Sequence, residues 1–464
     1  MTRLHRIILF CLSLLLVTSI PLRAEDMSGI ESDRASHRLI LSISDIHFDP
    51  FNTTDTTIPA KLIKHPYTDW ESIFSASSDK DLSIYGQDTN FNLLESVLIK
   101  MRSTCANPDF ILFSGDILGH YFSIYQQKYF PNNESGFHKF VMKTLKFIGL
   151  EFDKYFPGVS VICTLGNNDA YVDFGIVPNG SFLRDSHEIY FNYMHQPSGN
   201  KKAFDATFLH GGNYSMLPTP IKANRIVSIN NIFFSQDNKY KKQGWVQLEW
   251  LQSQLKAATA NNEKIWLMLH MPPGVCVEDS VNAAGKKSSH LVDYWDTTVT
   301  RDSKTFLDKF NEIIRKYASN IKAIYAGHTH MDHFRLIFDK KKPISYVHIT
   351  PAVTPWSNNN PAFQVMTYNL RTFSILNVDT WYYQKTSWKK EYNFDKTYKI
   401  SSLTPSTLNA VSTRIKDKSE TRQFFMDYYD VNNPSSLRIT KKNWKAYWCG
   451  IGALREADFN ACYK

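Results

Sequence analysis

Five short apolar runs in this chain each stop at a side chain able to bind a metal ion, and that recurrence narrows the folds open to it. Phe110–Phe113 leads through Ser114-Gly115 to Asp116, and Arg38–Ser44 leads to Asp45-Ile46-His47. Val159–Thr164 leads to Gly166-Asn167-Asn168-Asp169, Ile265–Leu269 to His270, and Ile321–Tyr325 to Gly327-His328-Thr329-His330. A continuous apolar run suits a strand buried on both faces. Open α/β sheets bind ligands beyond the carboxyl ends of such strands. A single Asp or His there is most simply a turn residue or a hydrogen-bonded structural group. Five together converge on one sheet edge. Because residues i and i+2 of extended chain point to one side, Asp45 with His47, and His328 with His330, are each expected to reach a shared cluster.

Between these runs the spacing turns helical, through Leu94, Val97, Leu98 and Met101, through Phe140, Met142, Leu145 and Ile148, and through Phe306, Phe310, Ile313 and Tyr317. Gly244–Ala258 is a further amphipathic helix and Arg225–Ile229 a further strand. Alternation of this kind gives an α/β architecture. Residues from about Asp45 to Asn90 read as a loop-rich insertion, and those from about Ala170 to Ala223 as an irregular surface region. Trp381, Tyr382, Tyr383, Trp388 and Tyr392 predict a hairpin that returns to the sheet, with packing aromatics. From Ser402 the pattern is helical. The expected domains are 38–395, catalytic, and 396–464, a small C-terminal helical subdomain.

Residues 1–24 carry Arg3 and Arg6, an apolar run from Ile7 to Ile20, and Leu22-Arg23-Ala24. That is a signal peptide with a core too short to span a bilayer, so the mature protein is expected to be secreted or periplasmic, lysosomal or extracellular in a eukaryote, with no membrane span. Its removal takes three arginines and lowers the formal charge from +9 to +6. No Lys/Arg cluster marks a nucleic-acid track. Export permits disulfides. Cys105, Cys163, Cys276, Cys449 and Cys462 remain, an odd number that leaves at least one thiol unpaired within the chain.

Four imidazoles, two carboxylates and one amide make a mixed N/O donor set. It suits Zn, with Mn or Fe also compatible, and disfavours Ca and Mg. Seven donors exceed one tetrahedral site, so two divalent ions are expected, with Asp116 as the bridging carboxylate.

In order and spacing the blocks Asp45-Ile-His47, Gly115-Asp116, Gly166-Asn167-Asn168-Asp169, His270 and Gly327-His-Thr-His330 resemble the calcineurin-like metallophosphoesterases. Gly115-Asp116-Ile-Leu-Gly-His120, His210-Gly-Gly-Asn-Tyr-Ser215, Thr350-Pro-Ala-Val-Thr-Pro355 and Asn360-Pro-Ala-Phe363 are similar to the acid sphingomyelinase-like phosphodiesterase group. The resemblance implies a two-sheet αββα sandwich and hydrolysis of phosphoesters by a water-derived nucleophile activated between two ions. It assigns Asp45, His47, Asp116 and His330 to one ion and Asp116, Asn167, His270 and His328 to the other. It further implies His120 as general acid, His210, Asn213, Tyr214 and Asn231 as substrate-binding residues, and a Cys449–Cys462 disulfide.

Two departures matter. Asn168 stands where the family has histidine, and an amide can hydrogen-bond a leaving oxygen but cannot protonate it. Gln87 stands where relatives carry a cysteine, so Cys105 lacks its usual partner and Cys163 becomes an alternative one. No saposin-like lipid-handling domain is expected in the residues before Leu39. The expected substrates are nucleotides or head-group phosphoesters, small molecules with a lipid head group among them. Sphingomyelin hydrolysis is the nearest alternative, and a catalytically silent metal-binding interaction protein the alternative of another class.

Overall fold

The strand that ends at Asp116 is three residues long, β2 (Ile111–Phe113), and every one of them is buried. It lies parallel between β1 (His37–Ile43) and β3 (Val161–Cys163), in register Leu41–Ile111–Val161. A strand flanked on both edges and covered on both faces has no solvent-facing position, which explains its unbroken apolar sequence. The computed structural model describes residues 36–218, 223–284, 293–433 and 438–464. The chain divides into residues 1–37 and a compact unit, Arg38–Lys464. The signal peptide expected at 1–24 lies outside the described residues.

Two six-stranded sheets make up the unit. The first runs β12-β11-β10-β1-β2-β3, where β10 is Ala362–Asn369, β11 Ile375–Gln384 and β12 Ser387–Asn393. The second runs β4-β5-β6-β7-β9-β8, with β4 Tyr214–Met216, β5 Asn224–Ser228, β6 Lys264–Met268, β7 Ile321–Ala326, β8 His333–Asp339 and β9 Lys342–Ile349. Strands β5, β6, β7 and β9 are parallel, like β1 to β3. The sheets face one another across aromatic rings. Trp266 of β6 is fully buried, stacks on Phe373 at 3.9 Å, and meets Tyr368 and Phe110 edge-on at 5.4 and 5.8 Å. Helices cover the outer faces, giving the αββα sandwich that the resemblance implied.

The aromatic stretch forms the expected hairpin, β11 pairing antiparallel with both β10 and β12. The region expected to be irregular does not stay so. It contains helices Ser181–Tyr193 and Lys201–Gly211. Phe182, Leu183, Ser186, Ile189, Tyr190 and Tyr193 are buried along one face of the first. Polar Arg184, Asp185, His187 and Glu188 interrupt that stripe in sequence and hide its 3.6-residue period. The 45–90 insertion likewise holds short helices, Ile58–Lys64 and Trp70–Ser75.

From Pro405 the chain is helical as expected. The last two helices, Trp444–Gly452 and Glu456–Tyr463, are joined by a Cys449–Cys462 disulfide. Cys105 and Cys163 are both free and buried, as is Cys276, so the alternative bridge between Cys105 and Cys163 does not form. Among the described residues no helix is long and apolar enough to cross a membrane.

Candidate metal centre

Local backbone geometry, rather than strand alternation, aims the strand-end side chains. Asp45, His47, Asp116, His328 and His330 all have positive φ, at 48°, 45°, 59°, 69° and 64°. Non-glycine residues rarely occupy this left-handed region, and where they cluster the surrounding structure must hold them there. The expectation that i and i+2 converge through extended chain is therefore corrected: each pair sits in a left-handed bend beyond the strand. Lateral hydrogen bonds fix the bends, from Asp45 N to Gly115 O (3.0 Å), His47 N to Asp116 O (3.0 Å), Gly327 N to His270 O (3.0 Å) and Thr354 N to Asp45 O (3.1 Å). Gly115 enters the turn at φ 96°, and a Cβ there would stand 2.8 Å from Gly166 N and 2.9 Å from His270 Nδ1. Only glycine allows this approach.

The seven residues meet at one edge. Asp116 Oδ2 lies 3.3 Å from His47 Nε2 and 3.2 Å from His270 Nε2. Asp45 Oδ1 lies 3.8 Å from His47 Nε2 and 3.6 Å from His330 Nε2. Asn167 Oδ1 sits 2.9 Å from His270 Nε2 and 2.8 Å from His328 Nδ1. Asp45, His47 and Asp116 form one group with ligand atoms within 4.8 Å of one another, Asp116, His270 and His328 a second, and His47, His120 and His330 a third. Asp116 belongs to both groups that contain a carboxylate. Asp45, His47 and His270 are fully buried. His47 Nε2 and His330 Nδ1 are buried without a hydrogen-bond partner. Orphaned buried nitrogens are costly unless something outside the chain satisfies them, and a cation fits the donor set around them.

The electrostatics agree. Burial pushes the Asp116 carboxyl up, but the His270 and His47 charges and the hydrogen bonds it accepts hold it well below the ordinary carboxylate range. Burial works against charge on His47 and His270, yet Asp116 lifts each to about 9. His328 goes the other way, to about 3, through burial and the neighbouring His270 charge. Without metal, two imidazoles thus hold protons that bound cations would displace.

Residues around the donors brace them. Asp169 accepts from Asp116 N (2.9 Å), Ile117 N (2.8 Å) and Gly166 N (2.8 Å), tying two ligand turns to one buried carboxylate. Asn168 donates to both oxygens of Asp116, from its backbone N (2.8 Å) and its Nδ2 (2.9 Å). Its amide therefore holds the shared carboxylate instead of waiting for a leaving group. Asn231 Oδ1 accepts from His270 N at 3.1 Å and so steadies that turn.

His120 borders the cluster. Its ring stacks on His47 at 3.7 Å and 11°, its backbone N donates to Asp88 Oδ2 at 2.6 Å, and its Nδ1 lies 2.8 Å from Asp88 Oδ1. The Nδ1 contact fixes the ring and leaves Nε2 as the nitrogen to face a substrate. Asp88, Asp169 and Trp356 were not singled out in the sequence. For Asp169 the signal was present in its own motif; for Asp88 and Trp356 only the fold brings them near. Of the four residues that the resemblance implied for substrate, Asn231 alone contacts the cluster's backbone. Tyr214 is buried with its hydroxyl donating to Cys163 O (2.6 Å), Asn213 Oδ1 accepts from Gln247 Nε2 (2.7 Å), and His210 is exposed at the end of its helix. In this structure Tyr214 and Asn213 thus bond to neighbouring protein groups.

The calcineurin-like phosphoesterase family description matches residues 39–332, and that of the acid sphingomyelin phosphodiesterase C-terminal region matches residues 342–464. Acid sphingomyelinase-like phosphodiesterase 3b of Mus musculus is 27% identical over 424 residues, covering 86% of this chain and 83% of that protein. Cyclic GMP-AMP phosphodiesterase SMPDL3A of Homo sapiens is 24% identical over 451 residues, covering 91% and 89%. Among solved structures, a dimetal phosphatase from Danio rerio aligns with 12% identity and a TM-score of 0.40, over 76% of this chain and 98% of that one.

Proposed function

The chain belongs to the calcineurin-like phosphoesterase family, and from that premise we propose a binuclear metal-dependent phosphodiesterase hydrolysing phosphodiester or phosphoanhydride bonds of nucleotides or head-group phosphoesters. The observation that carries the proposal is Asp116, whose Oδ2 lies within 3.3 Å of imidazoles from both ligand groups. Asp45, His47, Asp116 and His330 would hold one ion, and Asp116, Asn167, His270 and His328 the other. The mixed donors favour zinc. A pair of cations held there supplies Lewis acidity toward the phosphoryl group and lowers the pKa of bound water.

The chain's own groups do the rest. Asn168 and Asp169 keep the shared carboxylate and its turn in place. His120 Nε2 is the proton source for an alkoxide leaving group, with Asp88 holding its Nδ1. With Asn168 engaged on Asp116, no second acid stands at that position, so leaving groups that need a proton depend on His120 alone. Residues 1–24 support export of the mature enzyme.

Sphingomyelin is a second reading, favoured by the match of residues 342–464 to the acid sphingomyelin phosphodiesterase C-terminal region. Purified protein assayed on ATP, CDP-choline and sphingomyelin vesicles, with metal analysis of the same preparation, separates the two. Turnover of ATP or CDP-choline supports the proposal, and turnover of sphingomyelin alone replaces it. Full metal occupancy without turnover of any ester, bis-nitrophenyl phosphate included, points to a silent metal-binding protein.

A further inference from the structure

One face of His120 lies on His47. The other is covered by Trp356, stacked at 4.6 Å and 18°. The imidazole is thus the middle layer of a three-ring sandwich, pinned at its edge by Asp88. Trp356 is half-buried and has the exposed Tyr121 ring edge-on at 6.2 Å.

The loop that carries Trp356 is gripped from two sides. On the catalytic side Thr354 N donates to Asp45 O (3.1 Å), Gly86 N to Pro355 O (3.1 Å), and Thr354 Oγ1 to Asp88 Oδ1 (3.3 Å). On the other side the C-terminal segment holds three points. Arg438 Nη2 donates to Ser357 O, Asn433 Nδ2 to Asn358 O, and Asn360 Nδ2 to Val431 O at 2.8 Å. Arg438 is anchored in turn by Glu278 and, through its backbone N, by Asp430 Oδ2 at 3.1 Å. Held at these points, the loop keeps the indole within 18° of the plane of the His120 ring.

We propose that Trp356 is a positioning residue for His120, and that the C-terminal segment acts on catalysis through it. The inference rests on the general-acid reading of His120. With its indole in place the imidazole cannot tilt, and Nε2 stays in the plane that meets the leaving oxygen. Small errors in such placement lower rates steeply. The effect is confined to substrates whose leaving group needs a proton.

Two esters of one nucleotide isolate it: thymidine 5′-nitrophenyl phosphate, whose leaving group departs as the anion, and thymidylyl-thymidine, whose alkoxide must be protonated. Trp356→Ala is expected to lower kcat on the second at least about ten-fold more than on the first, with KM changed little. Trp356→Phe restores most of the loss because a flat ring returns. In a His120→Ala background Trp356→Ala adds nothing further, since coupled residues are not additive. Arg438→Met, at the far end of the clamp, gives the same selectivity in weaker form. Metal content and melting temperature are measured on every variant. Equal losses on both esters, a change confined to KM, or full additivity with His120→Ala would overturn the proposal. If His120→Ala itself fails to discriminate between the esters, the acid assignment falls first and this inference with it.

Discussion

Two carboxylates in this protein are equally hidden from solvent and behave in opposite ways. Asp116 is buried among imidazoles and amide donors, and its carboxyl is held well below the ordinary range despite the desolvation that pushes it up. Glu151, in the helix Glu134–Tyr155, is buried with neither oxygen hydrogen-bonded and with Lys154 Nζ no closer than 3.9 Å. Burial and the nearby Glu71 and Glu95 charges outweigh Lys154 and raise it to about 7. Burial alone therefore does not make a site. What distinguishes Asp116 is a set of donors delivered from several strand ends in rigid turns, whereas Glu151 is a helix position whose neighbours offer it little.

The contrast breaks most directly at Asp116. Replacing it with Asn keeps the shape, removes the charge shared by both ligand groups, and is expected to lower phosphodiester turnover by about 10³-fold. Steady-state kinetics alongside metal analysis checks this, and wild-type rates would dissolve the distinction between the two carboxylates. Next in size is Gly115→Ala. A Cβ 2.8 Å from Gly166 N and 2.9 Å from His270 Nδ1, at φ 96°, must displace the turn that presents Asp116. Turnover should fall by roughly 10²-fold, the scale of a one-ångström misplacement. Circular dichroism would show whether the fold survives.

A smaller effect tests the bracing of the site. Asn168→Ala deletes the 2.9 Å amide bond to Asp116 Oδ2 and should weaken metal affinity by about ten-fold, measured by competition with a chelating dye. The smallest concerns Glu151. Its folded-state pKa is raised from 4.5 to about 7, so the native protein keeps a proton that the unfolded chain has released. Stability then falls as pH rises from about 4.5 to about 7 and stays reduced above it. Glu151→Gln removes this slope. The variant should melt a few degrees above wild type at pH 8, with a gap that closes toward pH 4.5, while turnover is unchanged. A loss of turnover would mean that Glu151 belongs to the site after all.

The same contrast explains what was legible in the sequence. Strands β2 and β3 are short and wholly apolar because nothing in them faces solvent, so their ends, and the donors at those ends, stand out. The helix Ser181–Tyr193 is half solvated, and its polar residues break the pattern that would have revealed it. The left-handed bends at Asp45, His47, Asp116, His328 and His330 could not be read from residue type, because Asp and His, though enriched in that region, adopt it in only a minority of positions and are held there here by bonds between strand ends. Asp88 and Trp356 meet His120 across separations of 32 and 236 positions, and no local period encodes such a contact. Tyr214 was legible as part of a motif, while its burial under Cys163 O was not.

The central claim is that Asp116 is shared by two cations. Crystals of the full chain equilibrated with zinc, with diffraction recorded on either side of the zinc absorption edge, test it without reference to any substrate. Two anomalous peaks flanking the Asp116 carboxylate, about 3.5–4 Å apart, with His47 and His330 beside one and His270 and His328 beside the other, are the predicted result. A single peak, or ions bound away from Asp116 while these imidazoles remain unligated, would contradict it.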